Sequence, residues 1–244
     1  MGGIVTRPVL LGLALLWMVP LTPSPTSATP CVTGTLATYI GLGSTGCQID
    51  DKVFFNFGYS PTGGLGSVGA GSVTVTPLND PLDPGLGFQA PWQVGPGISG
   101  DAIINFSVQV LPGGNAIIDA ELGGLGAVQS GGTVSVIEGL CLGGTFGSNL
   151  GTGCSSGNVA LLNISNPPPK FGDHTSFAAA LLVDVFKDIG LNGGATGSAA
   201  ISGITQNFSE VAAVPEPASF LLMGSGLAAA MGMARRKWRS RQTD

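Results

Sequence analysis

A serine, an aspartate and a histidine come nearest to forming a hydrolytic site in this chain. Gly153-Cys154-Ser155-Ser156-Gly157 matches the G-x-S-x-G pattern, in which a sharp turn presents a nucleophilic serine. Asp173 and His174 follow it, in the order that such hydrolases use. Adjacent residues on a strand point to opposite faces, so these two cannot both serve Ser155. A secreted hydrolase is therefore only a second alternative function, and we expect His174, the one histidine, in a surface loop.

Carboxylate pairs could support glycoside hydrolysis, which needs two acids beside a sugar cleft. The candidate pairs are Asp50-Asp51, Asp80/Asp83 and Asp119/Glu121. The segment 79–83 could also supply oxygen ligands to calcium, but it lacks EF-hand spacing. Trp92 could stack on a sugar, although we favour a core role for it. Because no pair is marked out from the others, we predict no catalytic or metal-binding residues.

Two glycine motifs fit the dinucleotide-binding fingerprint G-x-G-x-x-G. They lie at residues 41–46 and 64–69. The fingerprint binds a pyrophosphate only where a strand turns into a helix, inside a βαβ unit. With 41 glycines in 244 residues, chance matches are expected. The sequence therefore predicts no nucleotide site and no cofactor.

Four cysteines lie in the central part of the chain, at Cys31, Cys47, Cys141 and Cys154. In an oxidising compartment an even number of cysteines indicates disulfides, and four allow three connectivities. We favour Cys31–Cys47 and Cys141–Cys154, because each pair is close in sequence and the segments between are rich in turns. A zinc site is the alternative, but neither pair has C-x-x-C spacing.

The charge of the central segment excludes binding to polyanions. Residues 29–214 contain three lysines and no arginine against twelve acids, which gives a net charge of −9. Nucleic-acid binding needs a basic face for phosphates, and this segment has none. Hydrophobic residues make up 43% of the chain, which is enough to build a core.

The first 28 residues have the layout of a secretory signal peptide. Arg7 precedes the apolar run 9–19, and a polar, proline-rich stretch follows that ends in small residues at Thr26 and Ala28. The apolar run is too short to cross a bilayer, which takes about 20 residues. We predict cleavage by signal peptidase after Ala28.

The C-terminal segment has the features of a membrane anchor. Between Glu216 and Arg235 lie 18 uncharged residues, enough for about 27 Å of helix. We predict a transmembrane helix at 218–234 and a basic tail at 235–241 that begins with Arg235, Arg236 and Lys237. The positive-inside rule would hold this tail on the cytoplasmic side. The sequence therefore predicts that the central segment faces outward.

The motif Val214-Pro215-Glu216-Pro217-Ala218-Ser219 stands directly before this helix. Motif, helix and basic cluster in this order resemble the PEP-CTERM sorting signal, and the resemblance covers residues 213–244. It implies that a membrane-embedded cysteine protease, an exosortase, cuts near Pro215-Glu216-Pro217 and releases or transfers the exported domain. It also implies a Gram-negative bacterium that makes exopolysaccharide. An ordinary C-terminal anchor is the alternative.

Alternating apolar and polar residues between turn signals predict that residues 29–212 form an all-β domain. Residues 104–110 and 116–122 read as a hairpin, with Asp119 and Glu121 on the wet face. Further predicted strands are 33–40, 52–58, 67–76, 132–139, 158–163, 177–188 and 197–208. Nine or so strands with glycine-rich turns favour a two-sheet β-sandwich or jelly roll, flanked by the signal helix and the transmembrane helix.

Together these features predict an exported, non-enzymatic protein of the cell envelope or exopolysaccharide matrix, with a structural or adhesive role. The expected partners are signal peptidase, the exosortase, the membrane before processing and exopolysaccharide; nucleic acid is excluded. The expected location is an inner-membrane-anchored precursor, then the cell surface or extracellular matrix. The first alternative function is a carbohydrate-binding module that acts on extracellular polysaccharide.

Overall fold

The fold is a two-sheet β-sandwich, seen in a computed structural model that describes residues 28–147 and 153–211. The signal segment before Ala28 and the whole sorting tail from residue 213 lie outside the described residues. Among the described residues, no helix is long and apolar enough to cross a membrane.

The elements follow one another along the chain with short turns between them. They are β1 Thr29–Pro30, β2 Gly34–Thr35, α1 Leu36–Gly41, β3 Cys47–Ile49, β4 Lys52–Gly63, β5 Thr74–Leu78, β6 Gly85–Val94, β7 Ser99–Val110, β8 Ala116–Gln129, β9 Thr133–Leu142, β10 Val159–Asn166, β11 Gly172–Ala180, β12 Leu182–Asn192, β13 Ser198–Asn207 and β14 Glu210–Val211. A single 3-10 turn, Ala70–Ser72, precedes β5.

Each sheet has seven strands. Sheet A has the order β1-β3-β4-β7-β12-β9-β10, and sheet B has the order β11-β8-β13-β6-β5-β2, with β14 paired to β8. The pairings are antiparallel, apart from the short parallel pairing of β1 with β3. The predicted β-sandwich is therefore confirmed.

The core between the sheets is built on aromatic side chains from both of them. Phe106 of sheet A and Phe88 of sheet B are fully buried, with ring centroids 5.8 Å apart. Trp92 is also fully buried, and its indole N–H donates to the Tyr59 hydroxyl of sheet A at 3.0 Å. The core role of Trp92 is confirmed, and its burial excludes stacking on a sugar.

Two of the three lysines in the described chain also lie in this core. Lys187 on β12 contacts Glu138 on β9 and the amide oxygen of Gln206 on β13, so the cluster joins sheet A to sheet B. Lys52 on β4 contacts Asp51 and, at 3.0 Å, Glu210 on β14. Both lysine side chains are 0% exposed. The alternation in β12 places Lys187 on the buried face with Val183 and Val185.

Only Gly34–Thr35 of the predicted strand 33–40 is strand, because α1 begins at Leu36. Thr35 caps the helix: its hydroxyl accepts the Thr38 N–H at 3.2 Å. Leu36 and Tyr39, three residues apart, are buried on one helical face. The Tyr39 ring meets Phe57 of β4 edge-on, with centroids 5.1 Å apart. This packing favours the helix over the strand.

Strand β6 is absent from the predicted set, since Gly85, Gly87 and Pro91 weaken its pattern. Pro91 lies where the β6–β13 register shifts between Ile201 and Gly203, so its missing N–H breaks no regular ladder bond. Two other predictions need correction. The segment 177–188 forms strand as predicted but spans the end of β11 and most of β12. Of the predicted strand 67–76, only the last three residues are strand, at the start of β5.

Candidate functional site

Both disulfides have the pairing that the sequence favours. Cys31–Cys47 ties β1 to β3, and Cys141–Cys154 ties β9 to the segment that precedes β10. No described cysteine is free, so a zinc site at these residues is excluded. Asp184 accepts the Phe146 N–H at 2.8 Å, and this bond also holds the described part of that segment against sheet A.

The predicted hydrolase residues do not meet. The Ser155 hydroxyl accepts the Thr145 N–H at 2.9 Å and lies beside the Cys141–Cys154 bridge. His174 lies on β11 in sheet B and is exposed, so its predicted place in a loop is wrong. Asp173 faces the other way: its carboxylate accepts the Asn163 N–H of β10 and pairs with Lys170, both at 2.8 Å. Burial would raise the pKa of Asp173, but the hydrogen bonds from Lys170 and Asn163 lower it overall.

In the Asp119/Glu121 pair, Glu121 is exposed as predicted, but Asp119 is half-buried and its Oδ1 accepts no hydrogen bond from the described residues. The Asp80/Asp83 pair has structural partners. Asp80 accepts the Leu82 N–H at 3.0 Å, and Asp83 accepts hydrogen bonds from Asn207 and Ser209. Burial raises the pKa of Asp83, and the hydrogen bonds from Ser209 and Asn207 oppose that shift. These hydrogen bonds give Asp80 and Asp83 a structural role in the turn at 79–83.

Asp50 and Asp51 gain a third carboxylate from β14. Their oxygens and one of Glu210 lie within 4.8 Å of one another, the only such group among the residues that the structure describes. The Lys52 ammonium already contacts two of the three carboxylates, Asp51 and Glu210. A lysine in this position supplies the positive charge that a bound cation would otherwise bring. The group is therefore an ion-pair cluster that joins the β3–β4 turn to the last strand.

The outer face of sheet B carries a trough that the sequence did not predict. One cross-strand row runs Gly172–Gly123–Thr205–Gly87–Thr76, through β11, β8, β13, β6 and β5. We call this row, with the pockets on it, the sheet B trough. Its residues are spread along the chain from Thr76 to Thr205, so no local sequence motif predicts it.

Two adjoining pockets lie along the trough. The first, of about 330 Å³, is lined by Glu121, Leu122, Gly123, Gly172, Asp173, His174, Thr205 and Asn207. The second, of about 310 Å³, is lined by Gly87, Phe88, Gln89, Gly124, Ser202, Gly203, Ile204 and Thr205. Thr205 lines both. Of the predicted candidates, Glu121 and His174 offer their side chains here, and Thr205 and Asn207 join them from β13. Asp173 also lines the pocket, but its carboxylate is bound to Asn163 and Lys170.

One wall of the first pocket is a second cross-strand row, His174–Glu121–Asn207. His174 and Glu121 are exposed. Asn207 is held in place, because its amide nitrogen donates to the backbone oxygen and the carboxylate of Asp83, both at 3.1 Å. The trough therefore presents a carboxylate, an imidazole, an amide and a hydroxyl within one surface depression.

The chain leaves the sandwich at β14, directly before the sorting segment. Glu210 and Val211 pair with Ile117 and Ala116 of β8. A family model for the PEP-CTERM protein-sorting motif matches residues 213–237. The chain carries a PEP-CTERM sorting domain. This assignment confirms the resemblance drawn from Val214, Pro215, Glu216 and Pro217, and it indicates an exported, membrane-anchored precursor of the Gram-negative type.

Similarity to other known proteins assigns no function to the β-sandwich. No curated protein matches the chain. Among solved structures, the chain is similar to TmCBM61 in complex with beta-1,4-galactotriose, at 11% identity over 62% of this chain and 88% of that one. The TM-score is 0.29.

Proposed function

We propose that this protein is exported, sorted and processed by an exosortase, and that its β-sandwich serves a structural or adhesive, non-enzymatic role in the cell envelope or exopolysaccharide matrix. The PEP-CTERM motif at 213–237 carries the proposal. The signal-peptide pattern ending at Ala28 supports it, as do the two disulfides, which belong in an oxidising compartment. Signal peptidase and the exosortase are the proposed partners in processing.

The proposed order of events follows from the two ends of the chain. Signal peptidase would cut after Ala28, which stands directly before β1. The exosortase would then cut near Pro215-Glu216-Pro217, four residues after Val211 at the end of β14. Four residues span at most about 14 Å, so the folded sandwich must lie close to the protease when the bond is cut. The inner-membrane precursor would thereby become a protein of the cell surface or matrix.

Substituting the sorting motif tests this proposal. We expect Pro215→Ala/Pro217→Ala, made in the native host, to leave an unprocessed precursor in the membrane fraction, because the protease no longer recognises its substrate. Immunoblots of the membrane, surface and medium fractions measure this. Gln242→Ala/Thr243→Ala, in the same tail but outside the matched residues 213–237, should be processed like the wild type. Equal processing of the motif variant and the control would contradict the proposal.

Binding to extracellular polysaccharide is the second candidate function. The sheet B trough favours it, because the trough offers hydrogen-bonding side chains on an exposed face of a protein destined for a polysaccharide layer. A hydrolase gains no comparable support, since Ser155 does not line the pocket that His174 lines, and the Asp173 carboxylate is bound to Asn163 and Lys170.

A further inference from the structure

We propose that the sheet B trough is a binding site for a neutral polysaccharide chain, which lies across the strands and places adjoining sugar units in its two pockets. This inference rests on the proposed role in the polysaccharide matrix and names the site and the chemical class of ligand. It is carried by three observations: the glycines of the floor, the side chains of the walls and the charge of the domain.

In the floor row, a Cβ at Gly123 would lie 2.4 Å from the Thr205 hydroxyl oxygen, so close packing explains that glycine. The other two, Gly87 and Gly172, are not explained by the fold. Gly87 lies inside β6, where glycine weakens the strand, and Gly172 begins β11. Neither has a positive φ. A Cβ added at either position would meet nothing closer than 3.8 Å, so packing does not require glycine there. By contrast, Gly85 does need to be glycine, because a Cβ there would clash with the Gln206 backbone. Glycine in a strand often marks a bulge, a tight bend or the close approach of a ligand or another backbone, and Gly87 lies in regular register with Thr205 and Thr76.

The walls suit a ligand rich in hydroxyl groups. Glu121 and the Asn207 side-chain oxygen accept hydrogen bonds, His174 can donate or accept, and the Thr205 hydroxyl does both. Asn207 is oriented by Asp83, so it loses little freedom when a ligand binds. Gln89 and Ser202 continue the polar lining in the second pocket. Neutral sugars offer matching donors and acceptors along their whole length.

The charge of the domain selects a neutral ligand. Each lysine that the structure describes is paired with acids: Lys52 with Asp51 and Glu210, Lys187 with Glu138, and Lys170 with Asp173. The residues that the structure describes therefore have no unpaired lysine or arginine that could bind the uronate or sulfate groups of an acidic polysaccharide. Residues 29–214 have a net charge of −9, which repels an anionic chain.

The size of the trough fits short segments of a chain. Each pocket is near the lower end of the range for small-molecule sites, roughly 300–1,000 Å³. Because Thr205 lines both, the two pockets adjoin each other.

Affinity electrophoresis of the oxidised full chain in detergent tests the site independently of sorting. The gels contain galactan, glucomannan or dextran as neutral probes, and alginate as the anionic control. We expect at least one neutral probe to retard the protein and alginate not to. Absence of retardation by every neutral probe would overturn the site while leaving the sorting proposal intact, because sorting is read from processing in the host.

Two variants of the trough locate the binding. Gly172→Val fills the floor with a side chain that strands favour, and Asn207→Ala removes a wall amide; each should weaken binding by about tenfold or more. The matched control is Ser176→Val, on the same strand and exposed but outside the lining, which should bind like the wild type. Its unfolding midpoint and that of Gly172→Val should not fall below the wild type. Unchanged binding in both trough variants, or a protein dimer that Gly172→Val dissociates, would overturn the proposal.

Discussion

Replacing Glu138 with leucine is expected to lower the free energy of unfolding by about 3–5 kcal/mol, because it leaves a buried lysine without its counter-charge. Glu138 and Lys187 are directly opposite on β9 and β12, and both side chains are 0% exposed. Burial raises the pKa of Glu138 and lowers the pKa of Lys187, and the attraction between them opposes both shifts. Once Glu138 is gone, Lys187 keeps only the Gln206 amide oxygen.

The double variant Glu138→Leu/Lys187→Met should regain most of this loss. Removing both charges abolishes the cost of burying them, and apolar side chains of similar volume fill the same space. Lys170→Met is the matched control, because the Lys170–Asp173 pair is partly exposed, with the lysine side chain 40% accessible. That pair should contribute no more than about 1 kcal/mol. Chemical denaturation of the oxidised proteins measures all three.

A Glu138→Leu variant within about 1 kcal/mol of the wild type would contradict this account of the core. It would mean that Lys187 is not buried between the sheets in its charged form. A double variant as unstable as the single one would show instead that the site does not tolerate leucine. The two outcomes separate the effect of the buried charge on stability from the effect of side-chain packing.

Removing both disulfides is expected to cost about 6 kcal/mol, a large part of the 5–15 kcal/mol that holds most domains folded. Cys31–Cys47 and Cys141–Cys154 close loops with sequence separations of 16 and 13 residues. The chain-entropy estimate gives about 3 kcal/mol for each, through the unfolded state. The domain should therefore reach its full stability only after export to an oxidising compartment.

Paired serine variants separate the two bridges. Cys31→Ser/Cys47→Ser should lose about 3 kcal/mol and also release β1, whose pairing with β3 is only two residues long. Cys141→Ser/Cys154→Ser should lose a similar amount and also free the segment after β9. Thermal unfolding and protease digestion of the two variants report these changes. Reduced wild-type protein that unfolds at the same denaturant concentration as oxidised protein would contradict the prediction.

The fold class could be predicted because successive side chains of a strand point to opposite faces of the sheet, so apolar and polar residues alternate in the sequence. Asp119 and Glu121 show it on β8, where Ala120 and Leu122 are buried and Glu121 is exposed. The alternation failed at Leu36–Gly41, where a capping threonine and a buried Leu36/Tyr39 face produce a helix. The sequence held one sign of the buried ion pair: Lys187 alternates in step with Val183 and Val185, which places it on the buried face of β12.

The sheet B trough could not be predicted in the same way. Gly87, Gly123, Gly172 and Thr205 become neighbours only through the registers of four strands, and a shift of one residue in any strand would remove one of them from the row. A chain with 41 glycines gives no sign of which ones serve a surface. The sorting motif shows the opposite case, since its residues are contiguous and need no fold to be recognised.

The most direct test of the central proposal is the intact mass of the protein purified from its own host, with and without the exosortase. We predict a host product that begins near residue 29, ends near Pro215-Glu216-Pro217 and is about 4 Da lighter than the reduced form, one hydrogen for each of four thiols. In the strain without the exosortase, the C-terminal tail should remain and the protein should stay in the membrane. A full-length tail on membrane-bound protein in both strains would contradict the account and make the tail a plain anchor.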